Sequence, residues 1–211
     1  MYTLYYSPGA CSMAVHIVLA EIGTDYDLKL VSVREGQNHQ ADYLRVNPKG
    51  RVPALAFDDQ VLTEVGAILF YLAENHPEAG LLPRDPLAKA RCHEFIAWLS
   101  SDVHAVFKQI WRAERFSIDE GHLSAIRAKG KVNASTCMAD IENRLKGSTV
   151  YAVGDRYTVV DPYLLVYYGW GRSVGLQMSQ YPAFTAYIER LINARPVIQQ
   201  VMEYEGLSRA A

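Results

Sequence analysis

A cysteine just after a proline–glycine turn is the residue of this sequence whose type and position point most clearly to chemistry. Cys11 follows Pro8-Gly9, where a strand-like run ends and a helix-like run begins. A thiol in the first turn of a helix lies near the positive end of the helix dipole and unpaired backbone N–H groups, which favour the thiolate. Because "CSMA" lacks the second cysteine of C-x-x-C, we expect a mixed disulfide with a small thiol rather than an internal one. The alternative is an inert, buried cysteine.

Two further stretches carry groups that suit a small peptide-like zwitterion. In "NPKGRVPAL" (47–55), a cis bond between Val52 and Pro53 would turn the N–H and C=O of Val52 outward, whereas a trans bond would mark only a strand edge or turn. In "LTEVGAI" (62–68), Glu64 ends a strand and opens a helix. Its carboxylate suits an ammonium group, and the free N–H groups of the first helical turn suit a carboxylate. Ordinary helix capping explains this second stretch equally well.

A stripe of polar and aromatic side chains lies on one face of a predicted long helix. Its members recur at i, i+3, i+7 and i+10, and they are Ser101, His104, Lys108 and Trp111. This spacing places side chains on the same side of an α-helix. A lone helical histidine is more often a surface residue, and the alternative is a hydrogen-bond or proton donor in a cleft.

The elements that must position these groups follow two different patterns along the chain. The first part alternates strands predicted over 3–6, 27–33, 52–57 and 60–64 with helices over 11–23 and 64–75. An irregular polar stretch precedes the third strand, and three prolines and a glycine then interrupt all periodicity over 76–86. Beyond them nearly every segment is helical. We therefore expect an α+β N-terminal domain over 1–76, a linker over 77–86 and an all-α helical-bundle domain over 87–211.

Two helices of the second domain have distinctive patterns. The first is predicted as one continuous helix from Leu87 to about Arg115, with a single apolar stripe. The other, over 158–170, is apolar on all sides and is therefore predicted to be buried at the centre of the domain. Thr158 and Asp161 at its start have the spacing of a capping box, for which we expect a purely structural role.

Composition limits the classes of protein to which the chain can belong. Half of the 211 residues are hydrophobic, and 21 Lys and Arg against 23 Asp and Glu give a net charge of −2. This balance gives no electrostatic reason to expect nucleic acid or a membrane as partner. Three scattered cysteines, Cys11, Cys92 and Cys137, are too few for a disulfide framework, and no signal peptide is visible at the N-terminus. These features favour the cytoplasm. No metal site is expected.

Taken together, the motifs resemble those of the cytosolic glutathione transferases, and among these the bacterial beta class. The matching segments are Y-x-P-G-A-C-S (Tyr6 to Ser12), "NPKGRVP", "LTE" with "AI" shortly after it, and "TVVD" at 158–161. They occur in the family's order and spacing and cover essentially the whole chain. The resemblance implies a thioredoxin-like N-terminal domain, an all-helical C-terminal domain, a homodimer, and glutathione as co-substrate with no tightly bound cofactor.

The resemblance also implies roles for particular residues. Catalytic roles fall on Cys11, His104 and Tyr6, because Cys11 matches the cysteine that can form a mixed disulfide with glutathione, and "SSDVH" (100–104) matches the segment that reaches towards the thiol. The implied glutathione-binding residues are Cys11, Val52, Pro53, Glu64, Val65, Ser101, Asp102 and His104, with Asp102 acting across the dimer interface. Pro53 matches the family's cis-proline. Tyr5 and Tyr6 face opposite sides of a strand, so only one of them can point at the cleft.

Three positions depart from the family pattern. Val65 replaces the usual serine, so only its backbone N–H can contact the γ-glutamyl carboxylate, and Ala97 replaces an asparagine near the site. A lysine from the loop after the second strand has no match, although Arg34 is a candidate substitute. Each lost hydrogen bond to a charged end of glutathione costs about 1.5–3 kcal/mol if nothing replaces it.

The sequence is thus interpreted as a glutathione transferase that transfers the thiol of glutathione to small hydrophobic electrophiles, with mixed-disulfide chemistry at Cys11 as an added route. The predicted walls of the electrophile pocket are aromatic side chains of two helices, namely Phe107, Trp111, Tyr167 and Trp170. One alternative is a glutathione-dependent reductase, peroxidase or dehalogenase. Another is a non-catalytic binding protein with the same fold.

Overall fold

A four-stranded mixed sheet forms the N-terminal part of the protein, of which the computed structural model describes residues 1–147 and 150–207. Its strands are β1 (Tyr2–Tyr6), β2 (Tyr26–Leu30), β3 (Ala54–Phe57) and β4 (Gln60–Thr63). They lie in the order β2-β1-β3-β4, with β2 parallel to β1 and with β3 and β4 antiparallel to their neighbours. The parallel pair requires a crossover, which is supplied by α1 (Ser12–Ile22). The predicted α+β thioredoxin-like domain is confirmed.

The ends of α1 are determined by local backbone geometry. Gly23 adopts the left-handed conformation (φ 73°) after the last turn, and its N–H donates to the carbonyl of Leu19 at 3.2 Å. A side chain at that φ would be strained, which explains the glycine as helix stop. Cys11 is the residue before the first helical position. The predicted placement of Cys11 at the start of a helix is therefore confirmed.

The stretch predicted as irregular before the third strand contains a short helix, α2 (Ala41–Val46). It forms because Tyr43 is buried and donates a hydrogen bond of 2.6 Å from its hydroxyl to the carbonyl of Arg51. Six residues are too few to form a stable helix from propensity alone. The prediction of an irregular stretch was therefore wrong here, because a tertiary contact decides the conformation.

The second part of the chain is helical. After α3 (Val65–Asn75) and a short 3-10 turn over Pro77–Ala79, the described residues form α4 (Pro86–Trp98), α5 (His104–Trp111), α6 (Leu123–Lys146), α7 (Val160–Ser173), α8 (Pro182–Ala194) and α9 (Pro196–Tyr204). α4 begins inside the predicted linker, where Asp85 accepts a capping hydrogen bond from the N–H of Ala88 at 2.8 Å. The all-helical C-terminal domain is confirmed, and its last four residues lie outside the described ones. Within the described ranges, no helix is long and apolar enough to cross a membrane.

The predicted single helix from Leu87 to about Arg115 is wrong. A π-helical turn over Leu99–Val103 separates α4 from α5, and α5 ends at Trp111. A π-turn adds a residue to the local repeat, so it rotates the side chains that follow relative to those before it. The phase of the helical face that carries His104 is therefore determined by this turn.

The start of α7 is held by a buried carboxyl group, as the capping spacing predicts. Asp161 accepts hydrogen bonds from the N–H of Thr158 at 2.5 Å and from its hydroxyl at 3.1 Å. Its other oxygen accepts from the N–H of Ala152 at 3.1 Å and from the hydroxyl of Tyr187. Burial raises the pKa of Asp161, and these hydrogen bonds oppose the rise. The pair is structural, and it anchors α7 against α8.

The two parts of the chain contact each other at both ends of α1. Near its start, the indole N–H of Trp170 donates to the carbonyl of Gly9 at 2.9 Å. Near its end, Arg195 forms an ion pair of 2.8 Å with Glu21. The loop that carries Cys11 is therefore packed directly against the helical domain.

Candidate functional site

The loop before Cys11 is held by its own hydroxyl groups. Ser12 is fully buried, and its hydroxyl accepts from the N–H of Ser7 and donates to the carbonyl of Ser7, both at 3.1 Å. The hydroxyl of Ser7 in turn accepts from the N–H of Val33 at 3.2 Å. Gly9 lies between them with a φ of 67°. These bonds occupy the two serines, so they position the loop.

The Cys11 thiol is buried and neutral in the free protein. Its side chain is only 6% exposed, and the sulfur donates to the carbonyl oxygen of Val52 at 3.5 Å. Burial raises the pKa of Cys11 to about 12, although backbone N–H groups at the helix start and the Lys108 ammonium oppose the rise. The expected thiolate at Cys11 is therefore wrong for the free protein, because desolvation outweighs the helix end.

The peptide bond between Val52 and Pro53 is cis, as the resemblance implies. Pro53 leads into β3, and Val52 is largely buried against Val31 and Tyr43. The carbonyl oxygen of Val52 accepts the hydrogen bond from the Cys11 thiol. The thiol and the backbone predicted to pair with a peptide ligand thus lie side by side.

Glu64 is the residue before α3, and it has an unusual backbone conformation for a residue with a side chain (φ 74°, ψ 123°). Such a conformation costs on the order of 1–3 kcal/mol and tends to occur at ligand sites. Lys49 donates to the Glu64 carboxylate at 2.6 Å and to the hydroxyl of Thr63 at 3.1 Å. The hydrogen bond from Lys49 is the main cause that lowers the pKa of Glu64. Glu64 is thus a charged, solvent-exposed carboxylate at the first turn of α3, which starts at the buried Val65.

His104 opens α5 immediately after the π-turn and packs edge-on against the ring of Trp170, with 5.1 Å between ring centroids. Burial lowers its pKa to about 4, and the charges of Lys108 and Arg51 contribute to the same shift. The imidazole is therefore neutral near pH 7, and it can donate a hydrogen bond from one ring nitrogen.

Of the four predicted aromatic walls, Trp111 is exposed, whereas the other three rings are buried. Trp111 is 39% exposed and Trp170 is 8% exposed, and their centroids are 5.0 Å apart in an edge-to-face contact. Phe107 and Tyr167 are fully buried behind them. The Tyr167 hydroxyl donates to the carbonyl of Leu99 at 2.7 Å. The prediction that Phe107 and Tyr167 line the pocket is therefore wrong, since neither ring has surface available to a ligand.

Tyr6 is also placed differently from the sequence prediction. The alternation of side chains along β1 turns its ring towards α1 and α9, where it contacts His16 and Tyr204 at centroid distances of 6.0 and 6.3 Å. Burial raises the pKa of Tyr6 to about 12, and Tyr204 contributes. The neighbouring Tyr5 faces the other side of the sheet and packs against Tyr43. Tyr6 is thus a packing residue, and its expected position beside the thiol is corrected.

Ser101 and Asp102 are exposed residues of the π-turn. The Ser101 hydroxyl donates to the Asp102 carboxylate. Asp102 lies close enough to Cys137 of α6 to raise the pKa of that thiol, together with burial and Asp140. Their roles in binding remain predictions.

Sequence reasoning left two cations near the thiol out of the predicted site. Lys108 lies one helical turn after His104, and its charge acts on Cys11, Glu64 and His104. Burial lowers the pKa of Lys108, and the charge of Arg51 lowers it further. The i+4 spacing from His104 was the available signal for Lys108, whereas Arg51 carried no signal beyond its place before Val52. Among the described residues, no cluster of His, Cys, Asp and Glu side chains could hold a metal.

Comparisons with known proteins identify the family to which this site belongs. Residues 1–74 match the model of the glutathione S-transferase N-terminal domain, and residues 128–196 match that of the C-terminal domain. The chain belongs to the glutathione S-transferase family. Glutathione S-transferase GstA of Escherichia coli O157:H7 is 32% identical over 97% of this chain and 98% of its own length.

Solved structures of other family members have the same fold over nearly the whole chain. A glutathione transferase homologue from Sulfitobacter, solved with bound glutathione, has a TM-score of 0.91 at 32% identity and covers 97% of this chain and 98% of its own. The bacterial beta class glutathione S-transferase of Sphingomonas chungbukensis has a TM-score of 0.85 at 33% identity, covering 98% and 100%. The transferase fold of this family member, with its two domains, agrees with the sequence prediction.

Proposed function

We propose that this family member is a beta-class glutathione transferase, which binds glutathione in the cleft between its two domains and directs the sulfur at small electrophiles. The observation that carries the proposal is the hydrogen bond from Cys11 to the carbonyl of Val52. It places a thiol beside the backbone against which an extended peptide would pair, and the charged Glu64 follows at the next strand end. Full-length similarity to relatives named glutathione S-transferases supports the same activity.

The charges of the cleft suit the order of groups along an extended glutathione. Its γ-glutamyl ammonium would replace Lys49 at the Glu64 carboxylate, and its γ-glutamyl carboxylate would accept from the first N–H groups of α3, including that of Val65. The cysteinyl unit would then pair with Val52, which leaves the glycine carboxylate beyond it, beside Arg51. Arg51 thus takes over the role that the unmatched lysine has in the family pattern.

Catalysis would consist of stabilising the glutathione thiolate and holding it against the electrophile. The glutathione thiol loses its proton to solvent, its sulfur attacks the electrophilic carbon, and the leaving group departs with the bonding electrons. A neutral Cys11 thiol can donate a hydrogen bond to that sulfur, and the neutral imidazole of His104 can donate another. The first N–H groups of α1 add the positive end of a helix dipole.

The raised pKa of Cys11 favours this supporting role over nucleophilic attack, because a neutral thiol is a poor nucleophile. The mixed-disulfide route is the second candidate, since no other protein thiol is needed for it and the Cys11 sulfur would lie next to that of glutathione. A homodimer in which Asp102 reaches the partner's glutathione, and a cytoplasmic location, complete the proposal. Cys11, Cys92 and Cys137 are free thiols, which supports the cytoplasmic location.

One experiment on the purified chain and its Cys11→Ala variant tests the proposal. We expect retention on immobilised glutathione and conjugation of 1-chloro-2,4-dinitrobenzene, with conjugation by the variant reduced but still above the uncatalysed rate. Failure of the wild-type chain in both assays would favour the non-catalytic binding protein and overturn the proposal. Intact mass after incubation with oxidised glutathione separates the routes: a rapid adduct of one glutathione, absent in Cys11→Ala, would favour the reductase.

A further inference from the structure

We propose that Lys108 binds an anionic group on the electrophile, so that the enzyme prefers planar electrophiles that carry a carboxylate over neutral ones of the same shape. The inference rests on the proposed function, and it assigns a substrate class to the same cleft. The prediction from sequence, a small hydrophobic electrophile, specified no such charge.

The first argument is the position of Lys108 on α5. His104, Phe107, Lys108 and Trp111 follow each other at the spacing of one helical face. Phe107 packs inward, and the rings of His104 and Trp111 each contact Trp170, with centroid distances of 5.1 and 5.0 Å. Lys108 is half-buried on this face, one turn before Trp111, whose side chain is exposed. A planar ligand lying against the exposed ring of Trp111 would therefore bring its edge towards the Lys108 ammonium.

The second argument is that Lys108 has no anionic partner. Throughout residues 1–147 and 150–207, no carboxylate or carbonyl oxygen forms an ion pair or hydrogen bond with its ammonium group. The nearby acidic side chain, Glu64, is already paired with Lys49 at 2.6 Å. The other charges that act on Lys108 from neighbouring elements are the cations Arg51 and Arg115. A half-buried lysine among other cations is more stable when a bound anion lies against it.

The third argument compares the charges of the cleft with those of glutathione. Glutathione brings two carboxylates and one ammonium, and its ionised sulfur adds one negative charge. In the arrangement proposed above, the γ-glutamyl group uses Glu64 and the start of α3, and the glycine carboxylate uses Arg51. The cations Lys108, Arg115 and Lys49, the last released from Glu64, outnumber the remaining anion, the sulfur. A carboxylate on the second substrate would compensate this excess.

The test compares two chloronitroarenes of the same shape, 4-chloro-3-nitrobenzoate and 4-chloro-3-nitrobenzamide. In both, the glutathione sulfur attacks the carbon that bears chlorine, a carbon–sulfur bond forms and chloride leaves with the bonding electrons. The measured quantity is the ratio of kcat/KM for the benzoate to that for the benzamide. In Lys108→Gln we expect this ratio to fall by about tenfold or more, the loss typical of a charge-assisted contact. Lys108→Arg keeps the positive charge, so its ratio should stay close to that of the wild type.

Lys131→Gln provides the matched control, because Lys131 is an exposed lysine of α6, and its ratio should equal that of the wild type. An unchanged ratio in Lys108→Gln would overturn the inference. An equal fall of kcat/KM for the benzoate and the benzamide in this variant would also leave the ratio unchanged, and Lys108 would then act on glutathione instead. Conjugation of 1-chloro-2,4-dinitrobenzene by the wild type tests the proposed transferase function separately, so a failure of the inference about Lys108 can be told apart from a failure of that function. An enzyme that conjugates this neutral compound but not the benzoate would also refute the carboxylate preference.

Discussion

The backbone N–H of Gly9 donates a hydrogen bond of 2.9 Å to the side chain of Glu205, which lies 196 residues further along the chain. The second oxygen of Glu205 lies 2.9 Å from Nδ1 of His16, and both side chains are buried. One carboxyl group after α9 therefore holds the turn before Cys11 and the middle of α1 together. The geometry of the thiol loop depends on the C-terminal segment as well as on its own sequence.

Removal of this carboxyl group should destabilise the protein. Glu205→Ala leaves the Gly9 N–H and His16 without their partner in a buried place, so we expect the free energy of unfolding to fall by about 3–5 kcal/mol. Urea denaturation followed by circular dichroism measures the change. The control is Glu203→Ala on the exposed side of α9, which should stay within about 0.5 kcal/mol. Equal stabilities of the two variants would contradict the role of Glu205.

Two glycines inside helices should respond in opposite directions to alanine. In α6, a Cβ on Gly130 would lie 2.9 Å from Cγ1 of Ile110 and 3.0 Å from Cβ of Gln109, because α5 and α6 approach closely there. Gly130→Ala should therefore cost about 1–3 kcal/mol of unfolding free energy. In α7, a Cβ on Gly169 would meet nothing within 4 Å, so Gly169→Ala should stabilise by about 0.5–1 kcal/mol. Thermal melts of both variants provide the measurement, and a stabilised Gly130→Ala would refute the close packing.

His104 should make the protein less stable in mild acid. The unfolded chain takes up the imidazole proton near pH 6.5, whereas the folded protein does so only near pH 4 because burial disfavours the charge. Between these values the unfolded state binds more protons, so the free energy of unfolding should fall by up to about 3 kcal/mol as the pH drops. This part of the pH dependence should disappear in His104→Gln, as measured by urea denaturation between pH 7.5 and 4.5. The same slope in both proteins would exclude His104 as its source.

Glu64 should determine the affinity for glutathione. Glu64→Gln keeps the shape of the side chain but removes the charge expected to bind the γ-glutamyl ammonium, so the KM for glutathione should rise by about tenfold or more with a smaller change in kcat. Steady-state kinetics with varied glutathione provide the measurement. Asp59→Asn, an exposed carboxylate in the β3–β4 turn, is the control and should leave the KM unchanged. An unaltered KM in Glu64→Gln would contradict the assignment.

Local sequence signals predicted much of the fold. The helix predicted over 11–23 ends at Gly23, the strands predicted over 52–57 and 60–64 form the hairpin of β3 and β4, and Thr158 with Asp161 marked the start of α7. In each case the determining interaction lies within a few residues, so the pattern alone was sufficient. α2 and the π-turn over Leu99–Val103 were not predicted, because the first needs the buried contact of Tyr43 and the second is an irregularity inside a helical pattern.

The sequence by itself determined the family, the two domains and the positions of Cys11, Pro53, Glu64 and His104, because these follow from residue types in a characteristic order. The tertiary structure decided the chemical state of the site. Burial makes Cys11 and His104 neutral, strand alternation turns Tyr6 into the core, and packing hides Phe107 and Tyr167 behind Trp111 and Trp170. Only the fold brings Arg51 and Lys108 together beside the thiol. Desolvation and long-range charge depend on distances between segments far apart in the chain, and no local pattern records them.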